Sequence, residues 1–115
     1  MRGFVSVLLC MMLLAGPAAQ AAAMSSQLER SETRTAPGTV FIGPDESLNG
    51  ALSVWFTESA TGDRFWVGTL DDMPPALQSF FRDAAATGQP VYVTGTYEWW
   101  GEGNVIRDIT GYGMQ

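Results

Sequence analysis

A single helical period lies in a chain that is otherwise punctuated like a set of strands, and that feature narrows the fold most. Leu77, Phe80, Phe81, Ala84 and Ala85 recur at the spacing that puts them on one face of a helix. Asp71-Asp72 ahead of Pro74-Pro75 offers an N-cap and prolines in the first turn, where amide hydrogens have no partner to lose. Gly88 and Pro90 stop the helix. On both sides of it, apolar and β-branched runs alternate with clusters of Gly, Asp, Asn and Pro, the pattern of short strands and tight turns.

Residues 39–42 make the first strand, and the loop over residues 43–50 leads into a second at 51–58. There Leu52, Val54 and Phe56 alternate with Ser53, Trp55 and Thr57, so the first three are expected inside and the second three outside. A turn through Ala60-Thr61-Gly62-Asp63 returns the chain into a third strand at 64–70, with Phe65 and Val67 inward and Trp66 outward; Gly68 marks a possible bulge. Residues 91–100 form a long fourth strand with Val91, Val93, Gly95 and Tyr97 on one side, and Gly101-Glu102-Gly103-Asn104 turns the chain into a fifth at 105–112. Three strands, one helix and two strands predict an all-β, OB-fold-like five-stranded Greek-key barrel with one helix between strands 3 and 4, plugging an open end. A small α+β sandwich of the same elements is the competing architecture.

The N-terminal residues have a different character. Arg2 precedes an apolar run from Phe4 to Ala15, broken by Gly16-Pro17, and the Ala-rich stretch beyond offers small residues for cleavage after Ala21 or Ala23. Residues 1–23 are therefore expected to be a signal peptide. The run is shorter than the roughly 20 apolar residues of a bilayer span, which disfavours an uncleaved anchor and leaves no membrane span in the mature form. Residues 24–38, polar and closing on Pro37-Gly38, suggest a flexible lead-in; residues 39–115 form the OB-fold-like domain. Localisation is expected to be periplasmic or secreted.

Composition then removes whole classes of function. The chain holds no histidine, all six basic residues are arginines, and the only cysteine, Cys10, leaves with the signal peptide. No Ser-His-Asp triad, Cys-His pair, lysine Schiff base or Cys/His zinc site can be assembled, so no enzyme activity, no metal and no cofactor are expected. The mature chain must fold on its core alone, without disulfides. Loss of Arg2 leaves five arginines against twelve acidic residues. That balance argues against a nucleic-acid partner, whose phosphates are held by basic patches.

Three stretches, Val54 to Asp63 (VWFTESATGD), Pro90 to Trp100 (PVYVTGTYEWW) and Ile106-Arg107-Asp108-Ile109, resemble the bacterial OB-fold family of small periplasmic proteins, from the second strand to the end of the chain. The resemblance implies a signal peptide, a compact barrel with a V-x-V-x-G strand, here Val91 to Gly95, and a small-ligand or interaction role.

Two acidic motifs have plain explanations. Asp45-x-Ser47-x-Asn49-Gly50 matches the first half of a calcium loop, but the twelfth position is Phe56 instead of Glu, so an Asx-rich turn accounts for it. Asp71-Asp72 is placed as a helix cap rather than an acid/base pair. The tryptophans carry more. With the parities above, Trp55 and Trp66 stand side by side on the outer face, Trp100 sits at the mouth of the next loop, and Glu98 and Glu102 lie near it. The alternative is that the rings fill and cover a small core. As a binding face, Trp55, Trp66, Trp100, Glu98 and Glu102 suit a cationic or sugar-like small ligand, because indole faces attract cations and stack on sugar rings. The rival roles are a protein-interaction or structural subunit that binds another envelope protein, and, on weaker grounds, a hydrolase run by two carboxylates.

Export and cleavage are directly testable. N-terminal sequencing of the exported form is expected to start at Ala22 or Met24; a protein that begins at Met1 and fractionates with membranes would contradict the signal-peptide reading.

Overall fold

A computed structural model of the protein describes residues 27–115. The expected signal peptide and its cleavage sites, and the first residues of the expected lead-in, lie outside the described residues. Among the described residues five strands run as β1 (Leu28–Asp45), β2 (Ala51–Glu58), β3 (Arg64–Thr69), β4 (Val91–Trp100) and β5 (Gly103–Met114), with one α-helix, α1 (Pro75–Thr87), between β3 and β4. They form a closed sheet in the order β1-β2-β3-β5-β4. Every pairing is antiparallel except the short parallel contact of β3 with β5, which is limited to Phe65 opposite Asn104 and Trp66 opposite Val105. Among the described residues no helix is long and apolar enough to cross a membrane.

The segment expected to be a flexible lead-in is instead strand from Leu28 onward. Leu28 to Gly38 pairs with β4, and Gly38 to Asp45 pairs with β2, so Pro37-Gly38 is a corner within one long strand. The reason the segment looked structureless is the chemistry of its inward positions. Glu32, Arg34 and Ala36 share the inward parity while Ser31, Thr33 and Thr35 are exposed, so the period of two is present but charged. Arg34 turns in because a carboxylate waits there: its Nη2 donates to Glu58 Oε1 at 2.8 Å, and Thr61 Oγ1 donates to the same oxygen at 3.0 Å.

Other corrections are smaller. Leu52 is exposed while Ser53 and Val54 are both buried, since the β2–β3 register shifts between Val54 and Trp55 and breaks the simple alternation. The extra residue on β3 is Val67, next to Gly68 at φ +150°. Asp71 and Asp72 do not cap α1. They belong to a short 3-10 turn, Leu70–Asp72, and the N-cap position is Pro74, which makes no side-chain cap bond. Gln78 supplies a nearby tie instead, its Nε2 donating to the Met73 carbonyl at 2.8 Å. The helix does end at Gly88, left-handed at φ +69°, whose N–H donates to the Ala84 carbonyl at 2.9 Å.

The core follows from the strand parities. Val54 and Phe56 of β2, Phe65 of β3, and Val91, Val93 and Tyr97 of β4 are buried together, and α1 closes over them with Phe81 and Ala84. Tyr97 is the hub. Its ring meets Phe65 edge-on at 5.1 Å and Phe56 at 6.3 Å, and its hydroxyl donates to the Val93 carbonyl at 2.6 Å. Burial pushes the phenol up to about 12, with the nearby Arg34 guanidinium pulling the other way.

Gly95 stands where β4 and β5 shift register, between Thr94 and Thr96, opposite the bulged stretch that holds Asp108 at φ +52°. A Cβ there would lie 2.8 Å from the Arg107 carbonyl oxygen and 3.2 Å from Ile106 Cγ2, and backbone cannot give way as a side-chain tip can. Gly95→Val is therefore expected to destabilise by about 1–3 kcal/mol, the range for overpacking a tight site. A thermal melt should fall by about 4 °C or more for a domain of this size; an unchanged melt would show that the strands do not approach so closely.

Candidate functional site

The two-residue period of β2 and β3 sends Trp55 and Trp66 outward, and the register sets them directly opposite one another. Trp100, the last residue of β4, comes up beside them where the chain turns into β5. Together they line a cleft of about 670 Å³ with Arg64, Arg107 and Glu102, floored by Gly103, Asn104 and Val105 of β5 and bordered by Ser47 of the turn after β1. That volume lies within the roughly 300–1,000 Å³ of small-molecule sites. Asn104 braces the floor, donating from Nδ2 to the Arg64 carbonyl at 3.3 Å.

Of the five residues singled out from the sequence, Trp55, Trp66, Trp100 and Glu102 line the cleft, and Glu98 stands behind it. Glu98 Oε1 accepts from Trp100 Nε1 at 3.1 Å and from Arg107 Nε at 2.7 Å. Its role is to hold the indole and the guanidinium in place. The Arg107 hydrogen bond is the main reason its carboxyl sits below the ordinary glutamate value, against a smaller opposing effect of burial and with further help from Trp100. Glu102 is exposed at the loop tip.

Trp99 points the other way and belongs to the wall of the core. Its ring meets Phe65 edge-on at 5.3 Å, Arg30 lies over it at 3.7 Å, and its Nε1 donates to Asp63 Oδ2 at 3.3 Å.

The arginines of the cleft were not singled out from the sequence. Arg64 lies 4.8 Å from the Trp55 ring centroid and 5.5 Å from that of Phe41, so one guanidinium spans two aromatic faces. Strand parity carried a usable signal, since Arg64 and Trp66 are two apart and must share a face. Among the described residues neither a ring nor a guanidinium stacks on Trp66 or Trp100.

A second cavity of about 430 Å³ shares Trp66, Val105 and Arg107 with the cleft and continues to Met73 and Leu77, along the seam where β3 and β5 cease to pair. Trp66 forms the partition. Its Nε1 is buried and has no hydrogen-bond partner among the described residues, a shortfall of about 1–3 kcal/mol in general terms. Elsewhere, Asp45 Oδ1 accepts from Ser47 N at 3.0 Å and Ser47 Oγ at 2.6 Å, so that carboxylate organises its own turn as an Asx motif. Among the described residues no three His, Cys, Asp or Glu side chains gather closely enough to hold a metal ion.

Compared with known proteins, the chain matches no family model, no curated protein and no solved structure.

The acid behaviour of the site follows from Glu98. Because its folded value is lowered, the tether it gives Trp100 is fully present above the ordinary value of 4.5 and is lost as pH falls through the lower folded value. Tryptophan emission is expected to show a transition centred below pH 4.5 that disappears in Glu98→Gln. A transition at or above 4.5, or one unaltered by the substitution, would contradict the tether.

Proposed function

We propose that the protein is a periplasmic or secreted, non-catalytic binding module, an OB-fold Greek-key barrel akin to the bacterial OB-fold family of small periplasmic proteins, whose tryptophan face takes a sugar-like small ligand. Strand order β1-β2-β3-β5-β4, a parallel β3–β5 contact and one helix between β3 and β4 support the fold reading. The functional reading rests on one observation, the convergence of Trp55, Trp66 and Trp100 on a single cleft.

Between the two ligand classes that an indole face accepts, the geometry favours the sugar. A cationic ligand is disfavoured because two guanidinium groups, Arg64 and Arg107, line the cleft beside the single carboxylate of Glu102, and because Arg64 already lies against Trp55 and the Glu98 carboxylate is taken by Trp100 and Arg107. A sugar ring needs flat apolar area plus donors and acceptors at its edge. Trp66 and Trp100 supply the first; Arg64, Arg107 and Glu102 supply the second.

A protein-interaction role is the second reading, favoured by a separate patch. Tyr92 and Met114 and the neighbouring Tyr112 are 41%, 47% and 43% exposed on paired stretches of β4 and β5. Concentration-dependent association of the pure protein, abolished by Tyr112→Ser, would support that role.

The binding reading is tested by tryptophan fluorescence against a panel of neutral and charged oligosaccharides. Trp100→Ala is expected to weaken binding at least tenfold while costing about 1 kcal/mol of stability, well short of the roughly 3–5 kcal/mol of a fully buried aromatic. Should Trp100→Ala unfold the domain, or leave binding untouched, the rings serve the fold and the ligand site lies elsewhere.

A further inference from the structure

The arginines of this acidic chain are distributed unevenly. Among the described residues Arg30, Arg34 and Arg107 each meet a carboxylate within ion-pair distance, and Arg82 lies exposed on α1. Arg64 does neither. It has no carboxylate within ion-pair distance among the described residues, and its guanidinium is laid against Trp55 and Phe41 at the edge of the cleft. A guanidinium that lies over an aromatic face keeps N–H groups available at its edge, and that edge matches the two oxygens of a carboxylate.

We propose that the ligand of the Trp66–Trp100 cleft is a sugar that bears a carboxylate, a uronate-type ring, with the carboxylate held by Arg64. This rests on the sugar-binding reading above and deepens it. The ring stacks on the uncovered indoles of Trp66 and Trp100, and Glu102 at the loop tip accepts from ring hydroxyls. Arg107 contributes less positive field than its charge suggests, because its Nε is engaged by Glu98 at 2.7 Å. One free guanidinium therefore faces one anionic group, which suits a single carboxylate and not a polyphosphate. The net charge of the chain, −6, does not prevent this. Carboxylates farther away than a Debye length, about 8 Å at physiological salt, are largely screened, whereas Arg64 acts at contact.

The test pairs each acid with its own neutral form. Oligomers of glucuronic, galacturonic and mannuronic acid and their methyl esters are titrated into the protein with tryptophan fluorescence as readout. For at least one sugar the acid is expected to bind about tenfold more tightly than its ester, the worth of one good charge-assisted pair. Arg64→Gln should bring that ratio close to one, Arg64→Lys should leave it in between, and Arg82→Gln should retain the wild-type ratio. Esters that bind as well as their acids would overturn the carboxylate assignment and leave the sugar reading standing. Absence of any quenching by acids, esters and neutral oligosaccharides alike would overturn both.

Discussion

The first half of β1 is bonded to β4 and its second half to β2, so the sheet closes only if this one strand turns at the right residue. That residue is Gly38, paired with Glu58 on one side and Val91 on the other; a Cβ there would collide with the Thr57 carbonyl and the Phe56 ring. The corner is locked a few residues earlier by Arg34, whose side chain reaches across to Glu58 at the end of β2. Magnitudes separate this ion pair from the rest. Arg30–Glu32 is exposed on both sides, and such pairs contribute about 0–1 kcal/mol. Glu58 is only 3% exposed, and stripping the partner from a buried charge costs about 3–5 kcal/mol. That contact ties the corner of β1 to the end of β2 and sets the Arg34 guanidinium 4.7 Å from the centroid of the Tyr97 ring at the hub of the core.

Where side chains alternate by hydrophobicity, the fold was legible. β2 and β4 occupy the expected ranges, Gly62 makes the expected turn at φ +77°, and the Leu77 to Ala85 stripe does become the α-helix between β3 and β4. What escaped was written in charge. An inward Arg34 is indistinguishable in the sequence from a solvated arginine, because its reason for turning in, Glu58, lies 24 residues away. The helix start was hidden in another manner. Asp72 is a strong capping type, but Pro74 and Pro75 fix the backbone so that the chain enters the helix two residues later and the carboxylates stay in solvent.

The grouping of the tryptophans was legible for the same reason as the strands. Period two puts Trp55 and Trp66 on the outer face whatever the bulge at Val67 does further along β3. The ranking of the carboxylates was not. Glu98 and Glu102 look equivalent in the sequence, four residues apart around a turn, yet one is absorbed by Arg107 and Trp100 and the other stands free at the tip. Only cross-strand register, which sets Thr96 opposite Arg107 and Glu98 opposite Val105, brings the arginine within reach of Glu98.

Rigidity is divided unevenly across the cleft as a result. Trp55, Arg64, Trp66 and Arg107 are carried by paired strands, and side chains on such elements keep their relative positions better than those on loops. Trp100 and Glu102 flank the turn, and of these only Trp100 is tied back. The tie runs from β5 outward: Arg107 orients Glu98, and Glu98 holds the Trp100 indole nitrogen. Glu102 lacks such a tether among the described residues. For the proposed binding role, this division assigns selectivity to the strand-borne groups, the flat area of Trp66 and the charged edge of Arg64. The turn contributes contact area and an adjustable acceptor. A ligand whose charge and ring lie in one rigid unit exploits that division best, since both of its recognition elements then meet parts of the protein that do not have to move.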